Sequence, residues 1–86
     1  MISGKTSSGF YYEISPKRLT NYELVETLSM MDDNPLLLPK VIILLLGKKQ
    51  ADELKNHVRD EDGMVDTQLI EKEVAEIFDQ QKTVKN

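Results

Sequence analysis

The sequence predicts a mainly α protein, a small four-helix bundle preceded by an N-terminal β-hairpin, built as one domain of 86 residues. Three observations carry that prediction. Apolar residues recur every three or four positions through 24–31, 51–58 and 69–78, the period of a helix with one buried face. Nine of the eleven residues in Leu36-Leu37-Leu38-Pro39-Lys40-Val41-Ile42-Ile43-Leu44-Leu45-Leu46 are aliphatic, which marks a helix that something must surround. Phe10, Tyr12 and Ile14 alternate with Tyr11 and Glu13, the two-residue period of a strand. The expected organisation is a hairpin over 1–14, a helical bundle over 20–80 and a frayed tail over 81–86.

In the hairpin, Ile2 to Thr6 form the first strand and Ser7-Ser8-Gly9 supplies the turn. An isolated hairpin is marginal in water, so its apolar face is expected to pack on the helices or pair with another chain. Pro16 ends the second strand. Thr20-Asn21-Tyr22-Glu23 has the S/T-x-x-E form of a capping box, which starts the first helix at Thr20. Leu24, Val25, Leu28 and Met31 are expected on its buried face. Asp32-Asp33-Asn34-Pro35 stops that helix and starts the next, with Asn34 at the N-cap and Pro35 at the first helical position. The aliphatic run is the second helix, with Pro39 either in its first turn or at the start of its continuous part. Gly47 is its C-cap, and Lys48 and Lys49 suit the negative end of its dipole. A third helix over 48–59 buries Ala51, Leu54 and Val58. After the polar loop Asp60-Glu61-Asp62-Gly63, a fourth runs from Asp66, its N-cap, to about Gln80. Its buried face is Leu69, Ile70, Val74, Ile77 and Phe78, with Val65 stapled onto Ile70.

Composition narrows the function. Zero cysteines exclude disulfides and thiolate metal sites. Eleven basic against fifteen acidic residues give a formal charge of −4, against a phosphate-binding surface. Met1 to Gly9 has no basic region followed by an apolar core, so no secretory signal is expected. The aliphatic run is far short of a membrane span. The expected location is the cytoplasm.

No catalytic constellation, metal site or cofactor motif is expected. Aligning Gly63 with the glycine of a calcium loop places Asp60 and Asp62 at ligand positions. Val58 and Leu69 then stand where the first ligand and the bidentate glutamate belong, so a plain turn with left-handed Gly63 is the reading. His57, the one histidine, has Glu53 four residues before it but no nucleophile at a useful spacing. Glu71, Glu73, Glu76 and Asp79 are expected on the solvated face of the fourth helix. Gly4-Lys5-Thr6 lacks the upstream glycine of a phosphate loop, and the three tyrosines have no basic groove beside them. A helix–turn–helix DNA reader around Gly47 would carry Lys48, Lys49, Gln50, Lys55, Asn56 and Arg59, but Asp52, Glu53 and the acidic loop would then face phosphates. A small helical DNA-binding or regulatory protein is thus the alternative reading.

The order of elements carries a resemblance. Gly9-Phe10-Tyr11-Tyr12-Glu13-Ile14 precedes the helix start Asn21-Tyr22-Glu23-Leu24-Val25-Glu26. A proline-bounded aliphatic helix then ends in Leu44-Leu45-Leu46-Gly47, and Leu54-Lys55-Asn56-His57-Val58-Arg59-Asp60-Glu61-Asp62-Gly63-Met64-Val65 follows. From about Ser3 to Phe78 this resembles the small tail assembly chaperone-like proteins of long-tailed phages and prophages of Gram-positive bacteria. The resemblance implies a non-enzymatic protein that coats the helical tape measure protein and recruits tail-tube subunits. It also implies a longer form made by frameshifting near the end of the reading frame. It carries over no functional residue. Pro16-Lys17-Arg18 replaces the family's more usual acidic stretch, and Val41 to Leu46 is more apolar than the family leads one to expect.

Residues Leu36 to Leu46 cannot all face a four-helix core, because such a core takes about half of a helix's circumference. Leu37, Ile43 and Leu44 are therefore the candidate partner-binding residues, serving tape-measure or tail-tube binding or self-association into a homo-oligomer.

Overall fold

The computed structural model describes residues 1–84. In chain order the elements are β1 (Ile2–Lys5), β2 (Tyr11–Ile14), α1 (Pro16–Leu19), α2 (Tyr22–Met30), a 3₁₀ turn (Pro35–Leu37), α3 (Leu38–Val58) and α4 (Thr67–Val84). The chain is mainly helical with an N-terminal antiparallel hairpin, as the periodicities predict. No described helix is long and apolar enough to cross a membrane.

The hairpin pairs Ile2 with Ile14 and Gly4 with Tyr12. Alternation along β2 sorts its side chains as expected: Phe10, Tyr12 and Ile14 are buried while Tyr11 and Glu13 face solvent. Gly4 permits this, since a β-carbon there would lie 2.5 Å from the Tyr12 hydroxyl oxygen. In the turn, the Thr6 amide donates to the Phe10 carbonyl and the Gly9 amide to the Thr6 carbonyl.

Helix starts first depart from expectation at the end of the hairpin. Ser15, not foreseen as a cap, accepts from the Lys17 amide and opens the single turn α1, with Pro16 at its first position. Thr20 closes that turn and does not cap the next helix. Asn21 caps α2, its side-chain oxygen accepting from the Glu23 amide at 2.9 Å. Asn is as good an N-cap as Thr, and the Thr20 hydroxyl is turned back toward the carbonyls of Pro16 and Lys17. On α2, Val25 is 52% exposed, against expectation, and Thr27 is buried in its place. The buried stripe is Leu24, Thr27, Leu28 and Met31, at i, i+3, i+4 and i+7, and Val25 lies a hundred-degree step outside it. Thr27 satisfies its hydroxyl by donating to the Glu23 carbonyl at 2.7 Å.

The stop at Asn34-Pro35 holds, and Asn34 accepts from the Leu36 amide, but what it opens is the 3₁₀ turn. α3 itself starts at Leu38, without a side-chain cap and with Pro39 in its first turn. α3 is two helical limbs, 38–46 and 48–58, broken at Gly47, whose φ of 85° and ψ of 161° are not helical. Lysines were expected at the negative end of the first limb. Arg18 of α1 takes that place, donating to the carbonyls of Ile43 and Leu44. α4 begins as expected, with Asp66 accepting from the Gln68 amide. It runs on to Val84, however, past the predicted end at Gln80. The hairpin explains the extension: Gln80 donates to the Lys5 carbonyl and accepts from the Tyr12 hydroxyl, to which Gln81 donates in turn. Residues 81–84 thus correct the frayed-tail expectation, and its remainder, 85–86, lies outside the described residues.

The core joins every layer. Tyr12 and Ile14 of β2, Leu24 of α2, Val41 and Leu45 of the first limb of α3, Leu54 of the second and Ile77 of α4 are all fully buried within one cluster. The hairpin face therefore covers part of the aliphatic helix.

Candidate functional site

Not all of that helix is covered. Leu38, Val41, Ile42, Leu45 and Leu46 point inward, whereas Leu36 is 86% and Ile43 is 43% exposed. Helical spacing puts Pro39 and Ile43 on the same side, and both line an open groove of about 300 Å³ between the two limbs of α3 and the start of α4. Its apolar surface comes from Leu38, Pro39, Ile42 and Ile43 on the first limb, Ala51 on the second, and Val65 and Ile70 across from them. The expected staple residues, Val65 and Ile70, thus form one wall. Thr67 adds a hydroxyl, and Lys48, Asp52 and Lys55 complete the lining.

Those three charged side chains are tied together. Lys48 donates to one oxygen of Asp52 at 3.0 Å, and Lys55 lies 3.2 Å from the other. The hydrogen bond from Lys48 and then that from Lys55 hold the Asp52 carboxyl below its ordinary value. Such a groove offers apolar contact on walls made mostly of helix side chains.

Of the candidate partner residues, the structure places only Ile43 in this groove. Leu37 and Leu44 are half-buried, and Leu44 packs against the core. Ile43 and Leu44 are consecutive, so one helical step carries Leu44 away from the groove.

A second polar constellation lies at the hairpin turn and was missed in part. Glu73, expected on the solvated face of α4, is 6% exposed. Position 73 falls between Ile70 and Ile77 at i+3 and i−4, so the helical period itself points it inward. It accepts from the Ser8 hydroxyl at 2.7 Å, while its other oxygen, buried, has no hydrogen-bond partner. Beside it, Glu76 accepts from the amide and the hydroxyl of Ser7. His57 faces the hairpin turn. Its Nε2 lies 3.0 Å from the Ser8 hydroxyl, and its ring stands 5.5 Å from that of Phe10. Ser8 has a single proton, committed to Glu73, so the imidazole donates to Ser8. That direction is opposite to nucleophile activation. The group works as a latch between the hairpin turn, α3 and α4.

No protein family, curated protein or solved structure matches this chain.

The remaining sequence candidates are used structurally. Asp60 accepts from the amides of Asp62 and Met64, and Gly63 sits at a φ of 84° in that turn. In the helix–turn–helix reading, Gln50 would face DNA. Instead its carboxamide accepts from the Glu13 amide and donates to the Glu13 carbonyl, as a neighbouring strand would. Arg59 is spent on Asn56 and the Gly63 carbonyl. The turn at Gly63 was legible in the sequence, whereas the partners of Gln50 and Arg59 were not.

Proposed function

We propose that this chain is a small four-helix-bundle binding protein without enzymatic activity, working in the cytoplasm as a tail assembly chaperone-like protein. Its client is an apolar helical segment of the tape measure or tail-tube partner, seated in the groove between α3 and α4. The observation that carries the reading is the half-exposed Ile43 in an aliphatic helix whose Leu38, Val41, Ile42, Leu45 and Leu46 are turned inward. An aliphatic side chain left half in water on a groove wall loses its exposed share of transfer free energy, which a client restores by covering it. The DNA-binding alternative draws less support, because Gln50 and Arg59 have partners within the chain and the chain as a whole carries −4.

Ile43→Asp tests the proposal. The side chain already meets solvent, so the variant keeps the wild-type circular dichroism spectrum. Expected with it is a loss of co-purification with a co-expressed tape measure protein, read by size-exclusion chromatography. Undiminished co-purification by folded Ile43→Asp protein would sink the groove as the client site. Leu44→Asp is the contrasting variant. It buries a charge beside the core and lowers folding stability whether or not a client is present.

A further inference from the structure

The groove has a sign as well as a shape. Lys48 and Lys55 share the single carboxylate of Asp52, so two ammonium groups meet one anion and the rim keeps one positive charge in excess. The chain as a whole carries −4, so this rim is opposite in sign to the molecule around it. Both lysines reach outward, with side chains 74% and 51% exposed, from positions that line the groove itself. Resting on the groove as the client site, we propose that its occupant is an amphipathic helix with a carboxylate beside its apolar stripe, which takes Lys48 and Lys55 as its partners in competition with Asp52.

Each part of that occupant follows from what lines the groove. The lining stands mostly on helices and no strand edge runs along it, so an extended segment laid here finds no ladder to join. A helix brings its own hydrogen bonds satisfied and presents only side chains. The apolar lining of Leu38, Ile42, Ile43, Ala51 and Ile70 takes the stripe. A second copy of this chain fits less well. A two-fold pairing through the groove would bring two copies of the same net-positive rim into one interface, between molecules that each carry −4. A separate helix with acidic flanks instead brings the opposite charge to the rim.

The probe is a set of three fluorescein-labelled, alanine-rich 18-residue peptides sharing one leucine stripe and differing only beside it, where they carry Glu, Gln or Lys. Fluorescence anisotropy titrations with the intact protein are run in low and in high salt. The Glu peptide is expected to bind roughly 5-fold tighter than the Gln peptide and the Lys peptide weakest of the three, a spread that high salt compresses. In the Lys48→Gln, Lys55→Gln double variant the Glu preference disappears while the Gln peptide still binds. In Ile43→Asp all three peptides weaken together. Equal affinity for the three peptides on wild-type protein, all lost in Ile43→Asp, overturns the acidic occupant and leaves the groove standing. Binding that survives Ile43→Asp unchanged, or no binding by any peptide, overturns both.

Discussion

At φ 85° and ψ 161°, Gly47 occupies backbone space that side chains with a β-carbon rarely enter. The surroundings tighten the demand, since a β-carbon there would lie 3.1 Å from a terminal nitrogen of Arg18, the residue that caps the first limb of α3. Gly47→Ala therefore strains the break and crowds its cap together. The expected cost is about 1–3 kcal/mol, read as a lower midpoint in urea unfolding at an unchanged slope. Asp52 offers a residue-scale test of the groove rim. Hydrogen bonds from Lys48 and Lys55 lower its carboxyl in the folded chain below the ordinary 3.8. A lowered folded value means that the pairs add their full stability above the ordinary value and lose it as pH falls through the folded one. The rim thus stays paired at neutral pH and comes apart only on the acid side of 3.8. Carbon-detected titration of the Asp52 carboxyl should give a midpoint below 3.8, moving back toward it in the Lys48→Gln, Lys55→Gln double variant.

At the scale of elements, side-chain amides decide how the hairpin docks. The backbone N–H and C=O of Glu13 point away from β1, and Gln50 meets both, at 2.7 and 2.6 Å, while also donating to the Leu46 carbonyl. Gln50→Ala removes all three bonds at an otherwise tolerant helix position. It should cost about 1–2 kcal/mol and speed hydrogen exchange at the Glu13 amide more than at residues of α4. These staples mark the limit of what periodicity can say. The helices, the hairpin and the break at Gly47 were legible because apolar spacing and the Asn34-Pro35 and Gly47 punctuation report local geometry. Most of the core was legible for the same reason. The cap of α2 was misplaced by one residue because Thr20 and Asn21 are both good caps, and only the turn α1 decides between them. Gln50, Gln80 and Arg18 were invisible, since each acts on a segment distant in sequence. The burial of Glu73 was written in the spacing of Ile70 and Ile77, but its charge argued the other way. Of the candidate site, Ile43 emerged from the surplus of aliphatic residues. The opposite wall did not, because Val65 and Ile70 read as an ordinary staple until α4 is set beside α3.

The molecule as a whole has little stability to spare. Its radius of gyration is 12.6 Å, with extents of 40 × 28 × 20 Å, slightly larger than the roughly 12 Å typical of a chain this long. A domain of this size is stable by only about 4–13 kcal/mol, and here one side of its most apolar helix is kept out of the core. Coverage of the groove should therefore register across the whole chain. A ligand that binds only the folded state at a hundred times its dissociation constant adds about 2.7 kcal/mol. For a domain this small, that corresponds to a rise in melting temperature of about 10–20 °C. The Glu-bearing helical peptide at such a concentration is expected to produce that rise in wild-type protein, measured by scanning calorimetry, and almost none in Ile43→Asp. A rise of equal size in both proteins would place the peptide elsewhere on the molecule. Because binding and folding share one free energy, the same experiment asks how far the exposed wall of α3 depends on a client for its stability.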